Sequence, residues 1–250
     1  MTTPSSEAKL EVLADPQALS RRVAAWMLEV APAKDGVFAV ALSGGSTPQL
    51  LYEHLADPPY RDSFPWSRTH WFWGDERFVP HDDALSNYRM VRAALLSRAP
   101  IPAMNIHPIP TEGVTPEAAV SAYERELRSF YGAARLDPAR PLFDVTLLGL
   151  GPDGHTASLF PGTAVLAERD RWVAAVIGAK SEIRITLTYP ALESSRHVAF
   201  LVAGKEKRAI LARFRRGDDS LPAARLRPTG TLTSVGRLLN HGRSVRSLLT

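Results

Sequence analysis

FDVTLLGLGPDGH, at residues 143–155, is the clearest strand-and-turn signal in the chain. Its first six residues form a mainly apolar run of strand length, and the glycine-containing turn that follows carries Asp153 and His155. The same arrangement occurs twice earlier. The apolar run at 37–42 enters a turn rich in Ser and Gly, and the run at 69–73 stops at Gly74. Three strands therefore end directly in glycine-bearing turns.

Segments with helical spacing separate these strands. The first helix is predicted at about 16–30, and others follow Pro48, Ser86, residue 115 and Gly204. Strands that alternate with helices predict an α/β protein with a mainly parallel sheet flanked by helices. In such sheets, ligands bind beyond the carboxyl ends of the strands. No repeat or linker is visible, so we expect one domain over residues 1–250. Further strand candidates lie at 105–109, 172–177, 184–188 and 197–202.

Composition excludes several classes of protein. The 250 residues include no cysteine, which rules out a disulfide scaffold, a thiolate zinc site, an iron–sulfur cluster and a cysteine nucleophile. The net charge is 30 − 26 = +4, but the arginines are scattered among acids, so we expect no nucleic-acid partner. The start of the chain lacks the pattern of a signal peptide, and no apolar run has membrane-spanning length. We therefore expect no membrane association and a cytoplasmic location.

The turn after the first of these strands has the chemistry of an anion site. Glycines let the backbone approach an anion closely, and the following helix offers unpaired N–H groups and a partial positive charge. The P-loop spacing is absent, and an ordinary strand-to-helix turn also favours these residue types. The residues predicted to bind phosphate in this turn are Ser43, Gly44, Gly45, Ser46 and Thr47.

Two further clusters carry titratable groups. Asp75, Glu76 and Arg77 follow an aromatic strand, where they either orient a base and hold an oxyanion or form a surface ion-pair loop. Asp153 and His155 stand two residues apart in the later glycine turn. Histidine is the natural general base near neutral pH, and a nearby carboxylate can fix its tautomer. A histidine that only caps or packs is the alternative for this turn.

Three cations also stand at the ends of predicted elements. Lys180 and Arg184 flank the start of a strand, and Lys205 follows Gly204 at a strand-to-helix turn. Each alone is typical of a solvated surface. No second His or acid stands at helical ligand spacing from His155, so we expect no metal site.

Taken together, the motifs resemble those of the 6-phosphogluconolactonases, over about residues 10–228. The resemblance implies a Rossmann-like α/β domain related to sugar-phosphate isomerases and deaminases. It implies metal-free and cofactor-free hydrolysis of 6-phospho-D-glucono-1,5-lactone in the oxidative pentose phosphate pathway, by a protein that we expect to be a monomer. The segments that carry it are LSGGSTP (42–48), WGDERFVP (73–80), SNY (86–88), GLGPDGHTASLFP (149–161), RITLT (184–188) and Gly204-Lys205.

The resemblance also implies roles for individual residues. His155 would activate the attacking water, and either Asp75 or Asp153 would orient its imidazole. Arg77 would stabilise the developing negative charge or the leaving ring oxygen. Arg184 and Lys205 would bind the 6-phosphate together with the turn at 43–47.

Two alternative functions remain open at this point. Glucosamine-6-phosphate deaminases share the Gly-x-Asp-Gly-His turn but typically continue with Asn-Glu-Pro, whereas residues 158–161 here contain no acid. This difference favours the lactonase. A non-catalytic sugar-phosphate sensor would carry a helix-turn-helix segment ahead of the domain. The 35 or so residues before the first predicted strand read as a single helix.

The end of the chain departs from the family pattern. Family members usually close with a Trp- and Asp-containing segment and an alanine-rich helix, but residues 221–250 contain five arginines and no acid. Mutual repulsion of these arginines should keep the segment solvated. We expect residues 229–250 to form an atypical, poorly packed tail with at most a short helix at 235–240.

Overall fold

A computed structural model describes residues 9–236, and its main layer is a seven-stranded sheet. All neighbouring strands in it are parallel, in the order β1-β10-β9-β6-β2-β3-β5. The strands of this sheet are β1 (Lys9–Val12), β2 (Phe38–Leu42), β3 (Thr69–Trp73), β5 (Ile106–His107), β6 (Phe143–Leu148), β9 (Ser195–Val202) and β10 (Thr231–Gly236).

Helices connect these strands. The α-helices are α1 (Pro16–Ala33), α2 (Ser46–Leu55), α3 (Tyr60–Ser63), α4 (Asn87–Val91), α5 (Pro116–Tyr131), α6 (Tyr189–Glu193) and α7 (Arg208–Arg215). A π-helical turn at Arg92–Leu96 continues α4. Short 3₁₀ turns lie at Trp66–Arg68, Ala103–Asn105, Ala164–Ala167, Lys205–Lys207 and Pro222–Arg225. No helix within residues 9–236 is long and apolar enough to cross a membrane.

The central strands show why the sheet is parallel. Every residue of β2 and of β6 is buried, as expected for strands covered by helices on both faces. The apolar runs that the sequence offers at these positions therefore have both sides of the strand in the core. This confirms the predicted α/β class and its mainly parallel sheet.

The long helices begin where the sequence places caps. Asp15 accepts a hydrogen bond from the Ala18 N–H at 2.7 Å, and Pro16 occupies the first turn of α1. Leu19, Val23 and Met27, spaced four apart, are the buried stripe of this helix. Caps and apolar spacing together account for the agreement between the predicted and observed α1.

A second, smaller sheet was not anticipated. It is antiparallel, in the order β4-β8-β7, and consists of β4 (Asp75–Arg77), β7 (Val173–Val176) and β8 (Arg184–Leu187). Residues 172–177 and 184–188 were correctly predicted as strands, but the connection between them is too short for a parallel crossover. Gly74 joins the two sheets, because its N–H donates to the Leu42 carbonyl and its carbonyl accepts from the Leu187 N–H, both at 2.8 Å.

The structure differs from the sequence-based prediction at both ends of the described chain. β1 precedes the first helix, so the segment ahead of β2 is not a single helix. The expectation of a poorly packed tail is wrong for Thr231–Gly236, which forms β10 between β1 and β9. Of the two arginines ahead of β10, Arg227 pairs with Asp219 at 3.2 Å and its backbone N–H donates to Glu193, while Arg225 Nε donates to the Asp219 carbonyl. Residues 237–250, including most of the helix considered at 235–240, lie outside the described part.

Candidate active site

The four central strands bring the predicted motifs to one edge of the sheet. β9, β6, β2 and β3 are parallel neighbours, so their carboxyl ends lie side by side. Lys205 follows β9, the His155 turn follows β6, the turn at 43–47 follows β2, and Asp75 follows β3. The motifs, which are spread from residue 43 to residue 205, therefore share one surface.

Two close approaches show how tightly the turns pack. A Cβ added to Gly44 would lie 2.0 Å from Oδ1 of Asn87, so only glycine fits there. A Cβ on Gly149 would lie 4.0 Å from Ser43 Oγ, which places the turn after β6 beside the turn after β2. Glycine at position 44 is thus required by the packing of Asn87, whereas position 149 has room for a Cβ in ordinary contact with Ser43.

Asp153 and His155 form a hydrogen-bonded pair. His155 Nδ1 lies 2.5 Å from Asp153 Oδ1, and the His155 N–H donates to the same oxygen at 3.2 Å. The pair closes over Gly151, where a Cβ would overlap the imidazole. Burial acts to raise the pKa of Asp153, but its hydrogen bonds with His155 outweigh burial and lower the pKa. Asp153 is therefore an ionised acceptor for the ring.

This geometry sets the tautomer of His155. A carboxylate accepts only, so Nδ1 carries the proton and Nε2 presents its lone pair. Nε2 has no hydrogen-bond partner among residues 9–236, and the side chain is 25% exposed. The Phe160 ring packs 4.6 Å from the imidazole. A histidine with one nitrogen fixed by a carboxylate and the other open has the arrangement of a general base.

Asp75 contacts a different partner. Its Oδ2 accepts a hydrogen bond from Ser158 Oγ at 2.6 Å, and its backbone carbonyl accepts from Asn87 Nδ2 at 2.9 Å. Of the two carboxylates considered as orienting groups for His155, the structure places Asp153 on the ring and Asp75 on Ser158.

Glu76 lies on the opposite face of β4 and is almost fully buried, at 1% exposure. Its carboxylate accepts from the N–H groups of Arg77, Asn87 and Tyr88 at 2.7–2.8 Å, and from Ser86 Oγ at 3.3 Å. Burial raises its pKa, against the lowering effect of these N–H groups. Glu76 thereby fixes the start of α4 to β4 and holds Asn87 beside Gly44.

Arg77 and Arg184 face each other across β4 and β8. Arg184 is 12% exposed and bonds Glu182 through Nη2 at 3.2 Å, while its buried Nε and Nη1 have no partner in the described part of the chain. Burial and the charge of Arg77 lower the pKa of Arg184. Arg77 Nη1 donates to the Leu85 carbonyl. Two adjacent guanidinium groups with spare donors form a site for an anion.

The turn at 43–47 also keeps donors available. Gly45, at φ 106°, precedes α2, and no described residue caps the first turn of that helix through its side chain. The helix begins at Ser46, two residues before the predicted Pro48. The Tyr52 hydroxyl donates to the Ser43 carbonyl at 2.8 Å and accepts from the Ser43 N–H at 3.0 Å. The Tyr52 hydroxyl thus fixes the backbone at the start of the turn, and the open N–H groups that follow suit an anion.

The remaining cations differ in placement. Lys205 is exposed in the 3₁₀ turn after β9, and its side chain makes no hydrogen bond to any residue in the range 9–236. Lys180 lies in the connection between β7 and β8, with its Nζ 5.1 Å from the centre of the Phe160 ring. A cavity of about 620 Å³ beside Phe160 is lined by Lys180, Asp153 and small apolar residues. Within residues 9–236, no three His, Asp or Glu side chains could hold a metal ion together.

Sequence reasoning missed Ser158, Asn87 and Glu76 as parts of this site. It also missed Thr186, whose Oγ1 accepts a hydrogen bond from the Ser158 N–H at 3.2 Å. Ser158 and Asn87 stand inside motifs that were quoted whole, but their contacts join distant segments. Glu76 was weighed only as part of a charged cluster. The one available signal for it was Ser86, a predicted helix cap ten residues later, since an acid often binds N–H groups at a helix start.

An α/β fold with a carboxylate–histidine pair and several cations at the carboxyl edge of its sheet defines a site for a small anionic molecule. The chain matches the family described as glucosamine-6-phosphate isomerases/6-phosphogluconolactonase over residues 14–235, and it belongs to that family. The 6-phosphogluconolactonase of Nostoc sp. is 43% identical over 231 residues, which cover 89% of this chain and 92% of that relative.

Solved structures of 6-phosphogluconolactonases are also similar to this chain. The crystal structure of 6-phosphogluconolactonase from Thermotoga maritima has a TM-score of 0.77 and 36% identity, and covers 92% of this chain and 100% of its own. The enzyme from Trypanosoma cruzi has a TM-score of 0.79 at 29% identity and covers 95% of this chain and 97% of its own. A monomeric glucosamine-6-phosphate deaminase, at 19% identity and a TM-score of 0.76, shares the fold.

Proposed function

We propose that this chain is a 6-phosphogluconolactonase, which hydrolyses 6-phospho-D-glucono-1,5-lactone to 6-phospho-D-gluconate in the oxidative pentose phosphate pathway. The observation that carries the proposal is the Asp153–His155 pair, with an open Nε2, at the sheet edge that also bears the cations. The identity of 43% to a named 6-phosphogluconolactonase supports it.

The chemistry begins with a proton transfer. His155 Nε2 accepts a proton from water, whose oxygen attacks the lactone carbonyl carbon and forms a tetrahedral oxyanion. When the oxyanion collapses, the bond to the ring oxygen breaks, and the imidazolium returns its proton to that oxygen. Asp153 stabilises the imidazolium through Nδ1. One water is consumed, and a carboxylic acid and a hydroxyl are formed.

Different groups of the site bind the phosphate of the substrate and the negative charge that develops during the reaction. The turn formed by Ser43, Gly44, Gly45, Ser46 and Thr47 binds the 6-phosphate, together with Arg184 and Lys205. Arg77 stabilises the oxyanion or the leaving ring oxygen. Asp75 uses Oδ2 for Ser158 and keeps Oδ1 for a hydroxyl of the substrate.

A coupled spectrophotometric assay tests this function. Glucose 6-phosphate is oxidised to the lactone in situ, and formation of 6-phosphogluconate is followed with and without the protein. Because the lactone also opens spontaneously, that background rate is subtracted. Acceleration above background supports the proposal. No acceleration, or release of ammonia from glucosamine 6-phosphate instead, refutes it.

The proposal includes a single domain that acts as a monomer in the cytoplasm, without metal or cofactor. One continuous cluster of buried apolar side chains supports the single domain. The monomer is tested by light scattering at assay concentration. The location stays a prediction, and a relative from Arabidopsis thaliana is named chloroplastic.

A further inference from the structure

Ser158 stands three residues after His155 and is completely buried. Its hydroxyl donates to Asp75 Oδ2 at 2.6 Å, and its backbone N–H donates to Thr186 Oγ1 at 3.2 Å. These two bonds attach the segment that follows the catalytic turn of the main sheet to both β4 and β8 of the small antiparallel sheet.

The backbone before Ser158 is strained. Ala157 has a φ of 46°, in the left-handed region that disfavours residues with a Cβ. The turn around it is closed by the Leu159 N–H, which donates to the Thr156 carbonyl at 2.9 Å. Strained backbone persists where the surroundings fix it, and such positions cluster at functional sites. The two bonds of Ser158 are contacts that hold this turn.

The face to which Ser158 binds is the face that carries the arginines. Side chains alternate along a strand, so Asp75 and Arg77 share one face of β4. Their partners in the antiparallel register, Thr186 and Arg184, lie on the same face of β8. Ser158 therefore bridges the turn of the general base and the sheet face of the anion-binding groups.

We propose that Ser158 is a positioning residue for the hydrolysis. Through Asp75, it fixes the distance and orientation of the His155 turn relative to Arg77 and Arg184. This inference rests on the proposed lactonase function. Ser158 does not touch the substrate, and its hydroxyl is committed to the Asp75 carboxylate.

The first test is Ser158→Ala. Loss of a buried hydrogen bond to a charged group should lower kcat about 10- to 100-fold. KM for the phosphorylated lactone should stay within about twofold, because the cations and the turn at 43–47 are unchanged. The matched control is Ser20→Ala, which removes another fully buried serine hydroxyl, one that bonds Gln17 within α1. The control should leave kcat unchanged.

The second test asks whether Ser158 acts through Asp75. In an Asp75→Ala background, Ser158→Ala should lower kcat by less than about twofold, because its partner is already absent. A full 10- to 100-fold loss in that background overturns the proposal. If Ser158→Ala does not fold, as judged by circular dichroism, Thr186→Ala removes the other anchor. Its kcat should fall while KM is maintained, and an unchanged kcat contradicts the positioning role.

The two proposals fail in different ways. A wild-type protein without lactonase activity refutes the proposed function. An active wild-type protein whose kcat survives Ser158→Ala refutes only the positioning role of Ser158.

Discussion

Asp153→Asn tests how much the charge of the Asp153 carboxylate contributes to the action of the proposed general base. Asparagine keeps an oxygen acceptor of nearly the same shape, so the hydrogen bond from His155 Nδ1 persists while the negative charge is lost. A hydrogen bond to a charged group contributes about 1.5–3 kcal/mol and a neutral one about 1 kcal/mol. The difference, about 0.5–2 kcal/mol, stabilises the imidazolium that forms during the reaction.

The structure limits the size of this effect. Asp153 is 39% exposed, so water screens part of its charge, and the lower half of the range is expected. At about 1.4 kcal/mol for each factor of ten, kcat should fall about 2- to 10-fold. KM should not change, because Asp153 lies on the imidazole and away from the predicted phosphate ligands.

The assay is the coupled lactonase reaction with the spontaneous rate subtracted. Asp170→Asn, which neutralises an exposed carboxylate outside the turn, serves as the matched control and should keep the wild-type kcat. An unchanged kcat for Asp153→Asn would refute the argument that the carboxylate assists His155. A rise in KM with kcat unchanged would assign Asp153 to substrate binding instead.

Three further predictions concern binding and stability. Lys205→Ala should raise KM for the phosphorylated lactone but not for unphosphorylated gluconolactone, with Lys207→Ala as control; equal losses on both substrates would remove Lys205 from phosphate binding. Glu76→Gln should leave the Tyr88 N–H without an acceptor and lower the free energy of unfolding by about 1–3 kcal/mol. Thermal unfolding should then show a Tm lower by roughly 2–10 °C. An unchanged Tm would contradict this prediction. Burial and the neighbouring His107 lower the pKa of His70, so the folded state binds its proton less tightly than the unfolded chain. Its stabilising contribution is present above about pH 6.5 and is lost as pH falls below that value; urea unfolding at several pH values should show this loss, and His70→Phe should reduce it.

Local signals were sufficient for the long elements. The runs at 38–42, 69–73 and 143–148 are apolar enough to be recognised as buried strands. The caps of α1 and α5 are visible as Asp or Thr followed directly by Pro. Because these features depend on neighbours in the chain, a single sequence is enough to predict them.

Elements that depend on distant pairing were missed. Asp75–Arg77 has no strand signal, and it is a strand only because it pairs with β8, more than a hundred residues later. β10 lies between β9 and β1, so its stability comes from backbone hydrogen bonds to both neighbours. The prediction of a poorly packed tail is wrong for residues 231–236 because this segment pairs with strands that are distant in the sequence, which the charge of the tail does not reveal.

The candidate site also combines features that local sequence predicts with features that depend on distant contacts. Glycine turns after strands predicted where the ligand edge lies, and the fold brings those turns together. The choice between Asp75 and Asp153 as the partner of His155 could not be made from spacing, because Asp75 follows another strand. The role of Ser158 depends on a contact across 83 residues, which only the three-dimensional structure shows.

The most direct test of the account is the turnover of His155→Ala. Wild type, His155→Ala and the control His54→Ala, which alters a half-buried histidine on α2 that bonds Gln17, are compared in the coupled assay at equal concentration. Loss of the general base should lower kcat by roughly 10²–10⁴, with Tm within about 2 °C of wild type because the His155 side chain is partly exposed. The His54 control should retain full activity. Near-wild-type turnover by His155→Ala, after subtraction of the spontaneous rate, would contradict the assignment of His155 as the base.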